Sequence, residues 1–385
     1  MISAARLRSR LLSTALLVLL WSISPRGDAG DFLVSSRFSN AVLRFDGTTG
    51  QFKSVFTSGN GLANPNGIAI GPDGNVYVGL GDVGVVRRFD ARTGAPLATL
   101  VHDDPLTPVD ESGGLRGCRA IVFGPDGDLY VDAGSIDKVL RYDGRTGAFK
   151  GIAAEGNGMR GPVGLTFGPD GNLYVGAAIS SGIYVFGPTG AFIRRLSCGD
   201  AVTGVVFGPD GFLYGASSVA NVVRKYDPSS GQCLGEFAAG GGLSIPIGVG
   251  VSPDGNLLVG SFSTNSVIKY SFATGQPLGT FVAAGAGGLE GTHNFLFLPP
   301  DEAARKVVPI VLDVDTGSAH FSSELVLTNR SAAAAHVQLV YHPSLGTAGG
   351  AGAVDVTLGA GEQRVFADVL AELRTRGLAI PASGP

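Results

Sequence analysis

The chain has 385 residues, of which 44% are apolar and only 16% are charged, and its net charge is −4. The apolar fraction is enough for a packed core and excludes a wholly disordered chain, and the lack of a basic excess argues against a nucleic-acid-binding protein. Glycine accounts for 61 residues, about twice its ordinary share, which indicates many tight turns.

The first 29 residues predict a secretory signal peptide. Arg6, Arg8 and Arg10 precede an apolar run over residues 11–23, which is shorter than the roughly 20 residues of a membrane-spanning helix. Small residues at Gly27 and Ala29 offer a cleavage site near Ala29. We therefore expect a secreted protein, extracellular or periplasmic, with no membrane span; a retained membrane anchor is the alternative. Cleavage removes four basic residues and one acidic residue, so the mature net charge becomes −7.

Two turn markers recur along the next 270 residues or so. The motif Gly-Pro-Asp-Gly, or Ser-Pro-Asp-Gly, occupies 71–74, 124–127, 168–171, 208–211 and 252–255. A Thr-Gly or Ser-Gly marker, out of phase with it, ends at Gly50, Gly94, Gly147, Gly190, Gly231 and Gly275. Both markers repeat at intervals of about 44 residues, which is typical of a repeat fold. Proline presets φ and glycine supplies a left-handed residue, so we interpret the five aspartates of the first motif as turn formers.

Each unit contains four short apolar runs that predict β-strands. Examples are Ile68–Ile70 before the first turn, Val76–Val78 after it, Val86–Asp90 next, and Phe192–Leu196 after a Thr-Gly marker. Four strands per unit at this spacing predict the blade of a β-propeller.

The two ends of the repeat region predict how the propeller closes. The run Phe32–Val34 matches a second strand whose first strand is missing, and Phe295–Leu298 matches a first strand far downstream. Pairing these runs gives six blades and removes the open edges of the sheet array. We therefore predict an all-β chain: a signal peptide over 1–29 and a six-bladed propeller over 30–301, closed by a C-terminal strand.

A small β-sandwich-like domain is predicted over 306–385. Alternating runs at Val307–Val314, Glu324–Leu327, Val337–Tyr341 and Val354–Leu358 carry this prediction, and the lack of an obvious final strand makes a truncated domain the expectation. The segment resembles the Ig-like tail modules of secreted bacterial proteins, although it has no diagnostic motif.

The repeat resembles that of NHL-repeat propellers and of the secreted streptogramin-lyase-like propellers, as in Pro65–Val78 and its copies. The resemblance covers about 30–300 and implies the fold more strongly than any activity. NHL repeats usually carry an aspartate just after the second strand. Only one blade keeps it here, because the corresponding residues are Ser35, Gly79, Asp132, Gly176, Gly215 and Gly260.

Candidate ligand-binding residues lie where the loops of a propeller surround its central channel. The residues entering the six first strands are Asn66, Arg119, Val163, Thr203, Ile247 and His293. With the polar residues of nearby loops, they predict a channel-mouth site of Asn66, Arg119, Asp132, Asp137, His293 and Asn294. The long connection over 101–118 is a further candidate, because long loops on regular scaffolds often carry function.

We expect a secreted binding scaffold that recognises a protein or a carbohydrate through its loop face. We expect it to be monomeric, without nucleic-acid partners, and we assign no catalytic residue. The alternative is an enzyme, a metal-assisted lyase or lactonase that uses His293 with Glu290, or Asp132, Asn66 and Asn294, around bound calcium or zinc. The propeller offers only His102 and His293 as histidine ligands, whereas catalytic zinc commonly takes three protein ligands. A third possibility is a purely architectural envelope protein.

The three cysteines, Cys118, Cys198 and Cys233, do not make a disulfide scaffold. One bridge can form in an oxidising compartment, leaving one thiol. Their pairing is left open by the sequence, and buried unpaired cysteines are the default interpretation.

Overall fold

The computed structural model describes residues 30–59, 61–81, 83–102 and 112–299, and then 314–315, 320–321, 325–328, 335–341, 352–359, 362–366 and 374–376. The predicted signal peptide lies outside these residues, as do 103–111 of the long connection. Among the described residues, no helix is long and apolar enough to cross a membrane.

Six antiparallel sheets form the blades of a propeller between Asp31 and Phe297, as predicted. Blade 1 contains β1 (Asp31–Ser36), β2 (Ala41–Asp46), β3 (Phe52–Ser58) and the closing strand β23 (Thr292–Phe297). Blade 2 contains β4 (Pro65–Ile70), β5 (Val76–Leu80) and β6 (Val85–Phe89). Blade 3 contains β7 (Ile121–Phe123), β8 (Leu129–Ala133), β9 (Lys138–Tyr142) and β10 (Phe149–Glu155).

The other three blades have the same four-stranded order. Blade 4 contains β11 (Pro162–Phe167), β12 (Leu173–Ala177), β13 (Ile183–Phe186) and β14 (Phe192–Leu196). Blade 5 contains β15 (Gly204–Phe207), β16 (Leu213–Ser217), β17 (Val222–Tyr226) and β18 (Cys233–Ala239). Blade 6 contains β19 (Pro246–Val251), β20 (Leu257–Ser261), β21 (Ser266–Tyr270) and β22 (Pro277–Val282). Short 3₁₀ turns lie at Gly134–Ile136 and Ala286–Gly288.

The closing strand pairs with the first strand of the propeller. Phe32, Leu33 and Val34 of β1 lie opposite Phe297, Leu296 and Phe295 of β23. The six inner strands, β23, β4, β7, β11, β15 and β19, contact one another in a closed ring. The predicted closure by a C-terminal strand is therefore confirmed.

Blade 2 departs from the expected four strands. Its outermost segment pairs with β6 only through two isolated bridges, Val86 with Val101 and Phe89 with Pro96. The long connection predicted over 101–118 begins at the end of this segment.

The turn motif and the strands around it hold neighbouring blades together. Tyr77 donates its hydroxyl to Asp73 at 3.0 Å, and its ring packs edge-on against Phe123 of the next blade, with centroids 4.9 Å apart. Tyr130 with Phe167 and Tyr174 with Phe207 repeat this contact in the next two pairs of blades. Four of the five motif aspartates, Asp73, Asp126, Asp170 and Asp210, accept the backbone N–H two residues on, which confirms their role as turn formers. Asp254 instead accepts the hydroxyl of Ser252.

The described C-terminal residues form three antiparallel pairs of strands. They are β24 (Val314–Asp315) with β25 (His320–Phe321), β26 (Leu325–Thr328) with β29 (Gln363–Phe366), and β27 (Ala335–Tyr341) with β28 (Gly352–Leu358). Three of the four predicted strands of this segment overlap described strands, and most of Val307–Val314 lies outside the described residues. The sandwich, its Ig-like character and the domain boundaries stay predictions.

Candidate functional site

The register of the inner sheets defines one equivalent position at the start of every inner strand. In each blade, one residue of the inner strand pairs with the central residue of the second strand, as Ile121 pairs with Val131 in blade 3. The equivalent position lies two residues before it, which in blade 3 is Arg119. The same count in each blade gives His293, Asn66, Arg119, Val163, Thr203 and Ile247. The six residues predicted to enter the channel are thus equivalent to one another in the fold. We call this place the entry position.

The next residue along each inner strand sits against the neighbouring blade. It is Gly67, Ala120, Gly164, Gly204, Gly248 or Asn294. A Cβ atom on Gly204 would lie 2.0 Å from the carbonyl oxygen of Ile247, and one on Gly248 would lie 2.5 Å from that of His293. The inner strands therefore approach so closely that glycine is needed at these two positions, and Asn294 is the one large side chain at this level.

Asp132 is fully buried at the end of the second strand of blade 3. Its Oδ1 accepts the backbone N–H groups of Arg119 at 2.7 Å and Ala120 at 2.6 Å. Its Oδ2 is buried without a hydrogen-bond partner among the described residues. Burial raises the pKa of this carboxyl to about 7, although the two backbone donors partly oppose the shift. Asp132 therefore holds the entry segment of blade 3 and keeps one unpartnered oxygen.

The residue equivalent to Asp132 in blade 5 is Ala216, since Leu213 and Leu129 occupy the same register against Tyr226 and Tyr142. The prediction of Gly215 for this position is wrong by one residue. Small residues are favoured at this position, because a Cβ atom on Gly79 would lie 2.3 Å from Sγ of Cys118.

Asn66, Arg119 and Asn294 meet at the start of the inner strand of blade 3. Nδ2 of Asn66 donates to the carbonyl of Cys118 at 3.3 Å, and Nδ2 of Asn294 donates to the carbonyl of Arg119 at 2.8 Å. Oδ1 of Asn66 is buried and, like Oδ2 of Asp132, has no hydrogen-bond partner among the described residues. The Arg119 side chain is exposed. Side chains from blades 1 and 2 therefore hold the backbone of blade 3.

His293 is almost fully buried beside Asn294. Burial lowers the pKa of its imidazole to about 3, and the charges of Arg37 and Arg119 lower it further. Nδ1 of His293 lies 3.2 Å from Nδ2 of Asn294, which can only donate, so this contact favours the neutral tautomer with its proton on Nε2. A neutral imidazole can accept or donate a hydrogen bond here, but it does not supply a positive charge.

Asp137 is placed apart from this group by the structure. It has φ of 59° in the loop between the second and third strands of blade 3, and its Oδ1 accepts the N–H of Gly161 at 2.7 Å. Asn40, Asn221 and Asn265 make the same hydrogen bond from the same left-handed position in other blades. Asp137 therefore belongs to a repeated contact between adjacent blades, a pattern visible in the sequence as Asn or Asp just before the third strand.

The described residues contain no group of three or more His, Cys, Asp or Glu side chains arranged to hold a metal ion. Calcium takes six to eight oxygen ligands. Among the predicted site residues, Oδ2 of Asp132 and Oδ1 of Asn66 are the buried oxygens without a hydrogen-bond partner that could contribute to such a set. The calcium or zinc expectation stays a prediction.

A disulfide joins Cys198 and Cys233, whose Cα atoms lie 5.3 Å apart, and it links the ends of the outer strands of blades 4 and 5. Cys118 is unpaired and buried. Burial raises the pKa of its thiol, and the nearby charge of Asp132 adds to the effect. The sequence spacing alone could not assign this pairing, since it depends on which blade ends meet.

No protein-family model matches the chain, and no curated protein matches it. The fold is similar to that in the crystal structure of a nidogen/laminin complex, at 17% identity and a TM-score of 0.56 over 70% of this chain and 98% of that chain. A Bacteroides caccae protein of unknown function is similar at 13% identity and a TM-score of 0.55, over 71% and 98% of the two chains. A virginiamycin B lyase from Staphylococcus aureus gives 15% identity and a TM-score of 0.47, over 68% and 90%. The first two likenesses show the fold, a six-bladed β-propeller.

Proposed function

We propose that the protein is a secreted binding scaffold that recognises a macromolecule through the face formed by its 2–3 and 4–1 loops. These loops join the second to the third strand of each blade and the fourth strand to the first strand of the next blade. We call this face the loop face. Secretion is supported by the signal-peptide pattern together with the Cys198–Cys233 disulfide, since disulfides persist in oxidising compartments.

The observation that carries this proposal is the exposure of apolar side chains in the 2–3 loops. Phe38, Val83, Ile179 and Val219, from blades 1, 2, 4 and 5, are each more than half exposed. One such residue in each of four blades makes a repeated apolar rim. Exposed apolar patches bordered by polar residues mark interaction sites.

The polar groups at the channel mouth support the same view. Asp132, Asn66 and Asn294 each use a side-chain atom to hold a backbone group of blade 3. Thr203 likewise donates to the carbonyl of Pro246 at 2.7 Å. A structural role accounts for these contacts without a reaction.

The experiment is a comparison of binding and turnover by the mature protein, residues 30–385. Immobilised protein is exposed to a glycan array and to a displayed peptide library, and in parallel a panel of lactones and cyclic depsipeptides is assayed for cleavage. Saturable binding that is lost on replacing Ile179 and Val219 by serine supports the scaffold. Turnover in the absence of any binding overturns it.

An enzyme remains the second candidate because of one observation, the unpartnered and buried Oδ2 of Asp132 in a carboxyl whose pKa is near 7. A group with such a pKa can exchange a proton near neutral pH. For a lyase or lactonase, Asp132→Ala or His293→Ala abolishes turnover while the protein stays folded. One calcium or zinc ion per chain in metal analysis of the dialysed protein also favours this alternative.

A further inference from the structure

Four apolar residues follow one another on the loop face across blades 5, 6 and 1. They are Val219, Ile245, Phe262 and Phe38, which we call the apolar arc. Val219 is 77% exposed, Phe38 is 53% exposed and Ile245 is 41% exposed, while Phe262 is half-buried.

Contacts between the loops hold the arc together. Asn221, two residues after Val219, accepts the N–H of Ile245 at 2.7 Å. Phe262 donates its backbone N–H to the carbonyl of Ile245 at 3.2 Å. The rings of Phe262 and Phe38 pack edge-on with centroids 5.6 Å apart. The arc is therefore an ordered surface made by three successive blades.

Ile245 has an unfavourable backbone conformation for its residue type. Its φ is 49°, in the left-handed region that a β-branched residue rarely adopts. Equivalent left-handed positions before the inner strands of blades 2, 3, 4 and 1 hold Asn64, Gly117, Gly161 and Gly291. Glycine or asparagine is therefore sufficient for the fold at this position, whereas blade 6 has an exposed isoleucine in a strained conformation. Such strain is typical of functional positions.

Positive charge adjoins one end of the arc. The guanidinium of Arg37 lies over the Phe38 ring, 5.7 Å from its centroid. Arg119 is exposed at the entry of blade 3, and its guanidinium makes no ion pair with a carboxylate of the described residues. Asn294 of the closing strand donates to the carbonyl of Arg119, and Arg37 donates its backbone N–H to Gly291, just before the same strand. Among the described residues, the acidic residue in contact with this end is Glu290, whose backbone carbonyl accepts the N–H of Phe38 at 3.0 Å.

We propose that the apolar arc, together with Arg37 and Arg119, docks a polypeptide segment that carries an apolar side chain beside carboxylates. This rests on the proposed function and names its partner class. The branched aliphatic side chains of Val219 and Ile245 can pack against apolar side chains of a polypeptide partner. They cannot hydrogen-bond sugar hydroxyls, and the edge-on pair Phe38–Phe262 is not a flat stacking platform for a sugar ring. Arginine at the border complements acidic groups and speeds encounter.

The test uses a displayed random dodecapeptide library panned on the mature protein. Wild type and the variants Ile245→Asn and Val219→Ser are compared, with Val55→Ser as the matched control, because Val55 is an exposed valine on the outer strand β3. Enriched peptides are synthesised with blocked termini, and their dissociation constants are measured by interferometry.

We expect the enriched peptides to combine an aliphatic or aromatic residue with Asp or Glu. Binding weakens at least tenfold, about 1.4 kcal/mol, in Ile245→Asn and Val219→Ser. Raising the salt concentration weakens binding to Arg119→Ala less than it weakens binding to wild type. Binding to Val55→Ser equals binding to wild type. Ile245→Asn relieves the left-handed strain, so its melting temperature rises by about 2 °C, which separates lost binding from lost folding.

Two results overturn the proposal. One is equal binding of the enriched peptides to wild type and to both arc variants. The other is no enrichment by wild type over Ile245→Asn. If a glycan array run on the same protein then yields a ligand, the scaffold function stands and only the partner class is wrong. If peptides and glycans both fail and turnover is found, the scaffold function fails as well.

Discussion

The entry positions of blades 1 to 3 differ from those of blades 4 to 6 although the backbone is equivalent. His293, Asn66 and Arg119 begin the inner strands of the first three blades, whereas Val163, Thr203 and Ile247 begin the others. The fold accepts polar or apolar side chains at the entry position, because it requires only that the inner strands approach each other closely. Because valine and isoleucine occupy the equivalent position in blades 4 and 6, the fold does not require the polar side chains of His293, Asn66 and Arg119 there.

Both halves use side-chain hydrogen bonds at the mouth, as Thr203 does with Pro246 in the second half, but the described disulfide lies in the second half. Side-chain hydrogen bonds from Asn66, Asn294 and Asp132 connect blades 1 to 3 at the mouth, whereas the Cys198–Cys233 disulfide connects blades 4 and 5 at the rim. This contrast predicts that the two halves respond differently to pH and to reduction.

The largest effect is expected from removing the closing strand, which carries both His293 and Asn294. In β23, Phe295 and Phe297 pack on Phe32 with ring centroids 5.1 and 4.7 Å apart, and burying each such side chain is worth about 1.5–3 kcal/mol. A fragment of residues 30–291 should aggregate or melt about 10 °C or more below the fragment 30–299 in calorimetry. The second fragment is the control for loss of the tail, and equal melting of both fragments would contradict the closure.

Asp132→Asn is expected to change the pH dependence of stability. The folded protein keeps a proton on this carboxyl up to about pH 7, whereas the unfolded chain releases it near pH 4, so ionisation destabilises the fold as pH rises. The free energy of unfolding of the wild type should fall relative to that of Asp132→Asn by about 1.4 kcal/mol per pH unit between pH 4 and 7. Urea denaturation at several pH values measures this, and parallel profiles would show that the carboxyl is not perturbed.

His293→Gln is expected to change the profile in the opposite direction. The folded protein holds the imidazole neutral down to about pH 3, while the unfolded chain takes up a proton near pH 6.5. The wild type should therefore lose about 1.4 kcal/mol per pH unit relative to the variant as pH falls from 6.5 to 4. The same urea series measures it. A wild type that is no more acid-sensitive than His293→Gln would place the histidine in contact with water.

In the other half, replacing Cys198 and Cys233 together by serine should cost about 3 kcal/mol, since the bridge closes a 35-residue loop. Thermal unfolding with and without reductant checks this, because reductant should lower the melting temperature of the wild type and leave the double variant unchanged. Thiol titration in denaturant should detect one thiol before reduction, Cys118, and three after it.

The smallest effect is expected from Asn294→Ala. It removes the hydrogen bond to the carbonyl of Arg119, worth about 1 kcal/mol. Thr203→Val is the matched change in the other half, where a hydroxyl donates to the carbonyl of Pro246. Similar small losses in urea denaturation would indicate that both halves use these bonds for structure. A much larger loss in Asn294→Ala would indicate a network in which His293 also depends on it.

Much of the fold could be predicted from the sequence because each blade repeats a local pattern. The Pro-Asp-Gly turns, the strand that closes the propeller and the apolar strands other than the fourth strand of blade 2 are found where expected. The sequence did not predict that the fourth strand of blade 2 is irregular. Apolar and polar residues alternate in it about as regularly as in the fourth strands of the other blades.

The candidate site could be predicted only in part. Counting strands was enough to find the six entry positions, since they repeat at the same register. The disulfide, the role of Asp137 as one of four equivalent left-handed residues, and the strained Ile245 were missed. Ile245 and Asn64 precede their inner strands at the same distance, so comparison of the repeats would have shown the unusual isoleucine.

The sequence by itself determined that this protein is a six-bladed ring, because turn chemistry and strand alternation act between residues close in the chain. Only the tertiary structure decided which polar atoms are left without partners and which surfaces join. Oδ2 of Asp132 is buried without a hydrogen-bond partner among the described residues. Asn294 reaches Arg119 across 175 residues of sequence, and the apolar arc forms only where three blades meet. These contacts exist because the ring closes, and closure brings together residues that no local pattern relates.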